Sequence, residues 1–338
     1  MRLTINGVEF EFLGDPHMGR PFRNNVPLHR LGDREKMQRA ELQASLDRAR
    51  AAGVAAHICV GDLFDKPKVD NRVVAETAEA YQMAARTNKF TPFFVLTGNH
   101  DEMRDRDFVS SFQLFTMIVD DDVQVIRSEV RVHLFEDRAS QFVAKLAFIP
   151  WHPLKTALEM VNEHAELIAG ADAVIGHWDV DRRQEGSDNY IPAARLVELG
   201  VKMAITGHDH VRRDMVINDL PTVVTGSMQP YSHSEDPEGV LYQTIEAEEA
   251  KRRLQCGADV FRDVCLRVVG EWDDPVPDCL QFKVVANETE LKADEALAQV
   301  QVADFSMKDL WATAFVDVDP EINTVLAGKF AELGGEQE

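Results

Sequence analysis

Leu96-Thr97-Gly98-Asn99-His100-Asp101 follows the apolar run Pro92-Phe93-Phe94-Val95, which reads as a buried strand. A Gly-Asn-His-Asp corner at a strand end gathers an amide oxygen, an imidazole and a carboxylate in a few residues, a pattern of site chemistry rather than of core. Taken alone it is also compatible with an ordinary Gly-Asn turn carrying a solvated histidine. Four further stretches change that: Gly14-Asp15-Pro16-His17, Gly61-Asp62-Leu63-Phe64-Asp65, Gly176-His177 and Gly207-His208-Asp209-His210. Each ends an apolar, strand-like run, and five such ends in one chain are not a coincidence of turns.

Working outward, strands are expected over 8–13, 54–60, 92–96, 123–126, 130–135, 142–149, 171–175, 201–206, 213–217 and 222–225. Helical spacing covers 35–52, 71–88, 108–119, 154–169 and 190–199. The alternation predicts an α/β fold with its site at the carboxyl ends of the strands. The loop 18–33 is long enough to expect a functional role. Past residue 247 the chain turns acidic and mixed, with strand-like runs near 260–269 and 279–286 and helical patterns near 290–300 and 321–332. The expected domains are therefore 1–247 and a small α+β capping or partner-binding region, 248–338.

The chain has 338 residues, 45% hydrophobic and 28% charged, enough for one large core and a smaller second unit. No basic stretch followed by an apolar one opens the sequence, and no apolar run reaches membrane-spanning length, so neither a signal peptide nor a membrane span is expected. Cys59, Cys256, Cys265 and Cys279 fit no zinc spacing and suit reduced thiols in a cytoplasm. The net charge of −22 argues against nucleic-acid binding by bulk electrostatics alone. Residues 231–338 carry 24 acidic against 9 basic side chains, so the acidity lies mostly away from the motifs. Arginines follow the motifs instead: Arg20 and Arg23, Arg182 and Arg183, Arg212 and Arg213. They mark a positive rim suited to a phosphate-bearing substrate.

Asp15 and His17, two apart in extended chain, can face one ion, and His208 and His210 repeat that spacing. Asp62 has two oxygens and can bridge, Asn99 adds a neutral oxygen, and His177 another imidazole. Such a donor set suits two divalent ions about 3.5–4 Å apart, the arrangement used for in-line displacement at phosphorus. His100 is left to reach the leaving oxygen, while Asp65 and Asp101 are expected to orient imidazoles.

Together these motifs resemble the five of the calcineurin-like metallophosphoesterases over roughly residues 8–245. Within that superfamily, Gly61-Asp62-Leu63-Phe64-Asp65, Ile149-Pro150-Trp151, Gly176-His177-Trp178 and Gly226-Ser227-Met228-Gln229-Pro230 leading to Asp236-Pro237-Glu238-Gly239 resemble the SbcD-type DNA nucleases, and most of all the compact phage-encoded forms. The resemblance implies a β-sandwich flanked by helices. It implies one ion on Asp15, His17, Asp62 and His210, and a second on Asp62, Asn99, His177 and His208, manganese being expected and magnesium admissible. His100 would be the proton donor or transition-state contact. A coiled-coil SbcC-type ATPase would be the partner, and a homodimer would form through the helix at 108–119. Many members carry His where this chain has Asp65. A general phosphatase or phosphodiesterase, and a non-catalytic scaffold stabilised by metals, share the same motifs and stay open on the residues alone.

Overall fold

A computed structural model describes residues 1–87, 90–103, 109–136, 141–287 and 289–292. By contacts the chain divides into two units: residues 1–21 with 35–229, and residues 22–34 with 230–338. The sequence places the parting at 247 instead. It missed that 22–34 leaves the first unit, because segment exchange between units has no compositional signature.

In the first unit, β1 (Arg2–Ile5) pairs antiparallel with β2 (Val8–Leu13), and β2, β3 (Ala56–Cys59), β4 (Phe93–Leu96) and β5 (Val123–Ile126) run parallel in that order. A second sheet has the order β10 (Arg213–Ile217), β11 (Leu220–Val224), β9 (Ala204–Thr206), β8 (Ala173–Gly176), β7 (Val143–Phe148), β6 (Arg131–Glu136). Its inner strands are parallel, and the hairpin partners β10 and β6 close its two edges antiparallel.

The sheets face one another across a core that joins Phe10, Phe12, Ile58 and Phe94 of the first to Phe135, Leu146, Phe148 and Ile175 of the second. Strand alternation sends the neighbouring residues the other way. Phe93 and Val95 meet helices α1 (Asp33–Ala52), α2 (Asn71–Thr87) and α3 (Ser111–Ile118), through residues such as Leu42, Leu46, Tyr81 and Phe115. Ala147 and Val174 meet α4 (Ala157–Glu163) and α6 (Ala193–Glu198) through Met160, Val161 and Leu196. Burial on both faces is why these strands read as unbroken apolar runs. The result is the expected mixed α/β fold, a β-sandwich flanked by helices. The helix expected over 154–169 is split at His164 into α4 and the one-turn α5 (Ala165–Ile168). No helix among the described residues is long and apolar enough to cross a membrane. All four cysteines are free, and only Cys256 is exposed.

The second unit holds a parallel sheet, β12 (Tyr242–Glu246), β13 (Cys265–Val269) and β14 (Gln281–Val285), with α7 (Ala247–Cys256) crossing from β12 to β13. The acidic first turn of α7, Glu248 and Glu249, complements the helix dipole but masks its helical pattern in a stretch read only as acidic and mixed. Loop 22–34 is tied to this sheet. The Phe282 N–H donates to the Asn25 carbonyl at 2.7 Å, and the buried Arg30 donates to the Arg262 carbonyl at 2.7 Å beside Asp33 and Asp278. The helix expected near 290–300 is seen over 289–292, and its remainder, the helix expected near 321–332 and Phe108 of the expected dimer helix lie outside the described residues.

Candidate metal centre

Every motif stands just past the carboxyl end of a parallel strand. Asp15 and His17 follow β2, Asp62 follows β3, Asn99 and His100 follow β4, His177 follows β8, and His208 and His210 follow β9. The two sheets bring them into two groups able to hold a cation each: Asp15, His17 and His210, and Asp62, His177 and His208. Asp15, His17, Asp62 and His208 all have positive φ, at 22°, 45°, 47° and 77°. Such backbones cost on the order of 1–3 kcal/mol each and persist where the surroundings impose them. The glycines of the motifs answer to space. A Cβ at Gly98 would strike Asp62 Oδ1 and main-chain N, and one at Gly207 would strike Asp15 Oδ1 and press on His177 Nδ1.

Hydrogen bonds on the outer side of the rings set which nitrogen faces inward. His177 Nδ1 donates to the Val60 carbonyl at 3.0 Å, and His208 Nε2 donates to Asp179 Oδ1 at 2.6 Å. The inner nitrogens, Nε2 of His177 and Nδ1 of His208, then lie 3.0 and 2.9 Å from Asn99 Oδ1, with Asp62 Oδ2 3.2 Å from the former. These are acceptors facing acceptors, an arrangement that is stable only with positive charge among them. Asp62 Oδ2 is also 3.7 Å from His17 Nε2, which is itself 3.0 Å from His210 Nε2, so this one carboxylate lies between the two groups as a bridge requires. Asp62 Oδ1 accepts the His100 N–H at 2.9 Å, and Asp15 Oδ2 accepts the His208 N–H at 2.7 Å.

The electrostatics agree. Burial would raise Asp62, but the imidazoles of His177 and His100 hold it well below the usual carboxylate range, and burial would lower His208, but Asp179 raises it. Burial and the Asp62 charge push Asp15 well above that range, and burial drives His17 well below the usual imidazole value. Two carboxylates buried this close ionise together only when cationic charge is supplied, and a neutral His17 keeps its lone pair. The donor set therefore fits a pair of divalent ions.

Asp101 serves a different end from the one expected. Its carboxylate accepts the main-chain N–H groups of Leu63, Phe64 and Gly98 at 3.2, 2.9 and 2.9 Å, bracing two motif loops rather than an imidazole. Asp65 contributes its main-chain oxygen, which accepts from His100 Nδ1 at 2.7 Å, while its carboxylate lies 3.8 Å from His17 Nδ1 and 3.5 Å from Arg20. Asp179 was missed; its signal is the spacing His177-x-Asp179, the mirror of Asp15-x-His17. Among the arginines, Arg213 is bound to Asp209 at 2.5 Å and Arg20 to Asp65, whereas Arg182 and Arg212 are exposed. Arg183 shares the turn Arg182–Gln184, its side chain lying outside the description, and Arg23 belongs to the second unit.

No curated protein sequence matches the chain. Among solved structures it is similar to Plasmodium GAP50, described as the anchor in the inner membrane complex, with 14% identity over 65% of this chain and 71% of that one and a TM-score of 0.42. The Thermus thermophilus protein TT1561 is similar at 11% identity, 67% and 91% coverage and a TM-score of 0.42. A dimetal phosphatase from Danio rerio is similar at 10%, 65% and 87%, and 0.39. The family model of the calcineurin-like phosphoesterases matches residues 10–212, a span that opens in β2, closes just past His210 and contains every donor described above. With that match spanning more than half of its length, the chain belongs to the calcineurin-like phosphoesterase family.

Proposed function

We propose that this chain is the nuclease subunit of an SbcD-type DNA-processing complex. It is a manganese-dependent exo/endonuclease that hydrolyses phosphodiester bonds in recombination and break repair. On this reading it works in the cytoplasm as a homodimer, with a coiled-coil SbcC-type ATPase. The observation that carries the hydrolytic part is the position of Asp62 Oδ2, between the inner nitrogens of His17 and His177. Asp15, His17, Asp62 and His210 would hold one ion, and Asp62, Asn99, His177 and His208 the other. When bound, two divalent ions offset the charge developing at phosphorus and lower the pKa of water.

The chain's own residues do the rest. His100 rests edge-on against His17 with ring centroids 4.9 Å apart, and its Nδ1 is committed to the Asp65 carbonyl. Its Nε2 is thereby left to meet the leaving oxygen, as a general acid or as a hydrogen-bond donor. Asp101 braces the loops that carry Asp62 and Asn99. DNA as substrate rests on the motif resemblance and on the exposed Arg182 and Arg212.

A second reading, a phosphodiesterase for small esters, is favoured by the pairing of Arg213 with Asp209 and of Arg20 with Asp65, which thins the positive rim. The two are separated by cleavage of end-labelled linear DNA with manganese, run beside an aryl phosphodiester and repeated with His100→Asn. DNA cleavage that the variant lacks supports the nuclease. Turnover of the small ester alone, persisting when an SbcC-type partner is added, supports the second reading.

A further inference from the structure

His208 is the one imidazole of the second group whose outward nitrogen meets a carboxylate; the corresponding nitrogen of His177 meets a main-chain carbonyl. That carboxylate, Asp179, is 6% exposed and is itself fixed from several sides. Its second oxygen accepts the Ser187 hydroxyl at 2.5 Å. Its main-chain N–H donates to the Asn189 carbonyl at 3.1 Å, and its carbonyl accepts the Ile191 N–H at 3.0 Å. The same loop reaches His177, because Asn189 Nδ2 donates to the His177 carbonyl at 3.0 Å. One short loop therefore grips both histidines of the group Asp62–His177–His208 and makes none of these contacts to the group Asp15–His17–His210.

We propose that Asp179 is a positioning residue for one of the two cations: its hydrogen bond from His208 Nε2 locks the ring so that the Nδ1 lone pair points at Asn99 and Asp62, and loop 179–191 holds it there. The inference rests on the dinuclear reading above and adds a prediction that reading does not make, namely that the two ions differ in their dependence on this loop. Charge on the far side of an imidazole also strengthens its inner nitrogen as a donor. Removing such outer partners costs about 10–100-fold in metal affinity.

The test titrates the metal-free protein with Mn²⁺, following bound ion by electron paramagnetic resonance, for wild type, Asp179→Ala, Asp179→Asn and Ser187→Ala. Wild type should bind two ions per chain. Asp179→Ala should keep one at wild-type affinity and weaken the other by about 10–100-fold. Asp179→Asn retains an acceptor oxygen and should lose less than Asp179→Ala, and Ser187→Ala less again, always at the same ion. In metal-free wild type, histidine-selective ¹⁵N labelling should show a slowly exchanging His208 Nε2 proton that is absent from Asp179→Ala.

Two wild-type affinities in a folded Asp179→Ala, or equal weakening of both ions, overturn the proposal. Should that variant not fold, wild-type binding of both ions by Asp179→Asn and Ser187→Ala overturns it instead. Wild type that binds fewer than two ions refutes the dinuclear reading. The His208 proton, measured without metal, then still decides the role of Asp179, since its absence from wild type overturns that role on its own.

Discussion

His100 Nδ1 donates to the main-chain oxygen of Asp65 at 2.7 Å. Because the acceptor is backbone, the orientation of this ring does not depend on which side chain residue 65 carries. His100→Asn should lower hydrolysis by about 10²–10⁴-fold, the usual worth of a general acid, while Mn²⁺ stoichiometry stays at the wild-type value. Asp65→Asn should cost less than about tenfold, since the carbonyl remains. Parallel kinetics and metal titration check both, and a large loss of metal in His100→Asn would show that His100 is itself a ligand.

Asp62 lies between the two groups, so one substitution there should disable both. Saturating Mn²⁺ should raise the melting temperature of wild type, each site contributing about 2.7 kcal/mol at a hundredfold excess over its Kd. Asp62→Asn should abolish most of that rise in calorimetry while melting near the wild-type temperature without metal, its amide still accepting the His100 N–H.

Gly207 is closed to any side chain by Asp15 and His177. Gly207→Ala should displace one or both and weaken Mn²⁺ binding by about tenfold or more, as loss of a well-oriented ligand does, with circular dichroism unchanged at room temperature. Equal affinity would mean that the strand end shifts freely, contrary to its packing.

Away from the site, His57 is fully buried beside Tyr81 and Phe93, with Nε2 3.1 Å from Ser45 Oγ, and burial lowers its pKa to about 3. The unfolded chain takes up this proton near pH 6.5 and the folded chain does not. The stabilising contribution is therefore complete above pH 6.5 and is lost as pH falls toward about 3, at up to about 1.4 kcal/mol per pH unit. His57→Gln has no such proton to bind. Denaturant melts between pH 4 and 7 should show a shallower slope for the variant, and parallel slopes would exclude His57 as the source.

Arg30, 8% exposed, joins loop 22–34 to the Arg262 carbonyl and Asp278 within the second unit. Arg30→Ala should cost on the order of 1–3 kcal/mol, because its partners are only partly buried. Limited proteolysis should then cut within 22–34 well before wild type.

The reading from sequence went furthest where apolar runs stopped at short polar motifs. The ends of β2, β3, β4, β8 and β9 deliver Asp15, Asp62, Asn99, His177 and His208 to one place, because parallel strands end on one edge. Less legible was anything set by contacts between distant segments. Asp101 looks like a partner for an imidazole because it adjoins His100, yet chain folding turns it toward the amides of Leu63 and Phe64. The spacing His177-x-Asp179 marks Asp179 but does not pair it with His208, which lies on a different loop and meets it only after β8 and β9 pair. The strands β1 and β12 and the helix α7 were missed for want of pattern: β1 is four residues with one buried position, and α7 has an acidic first turn. Loop 22–34 reads as part of its neighbours in sequence, and its bonds to residues such as Arg262, Asp278 and Phe282 assign it elsewhere.

Each three-residue group draws on both faces of the sandwich: Asp15 and His17 come from the first sheet with His210 from the second, and Asp62 from the first with His177 and His208 from the second. Neither half of the polypeptide, up to β5 or from β6 onward, owns a complete set. During synthesis the first five strands can pair and pack their helices with only half-sites to show for it. A cation that needs donors from both halves would thus be held by a full set only once the two sheets have docked.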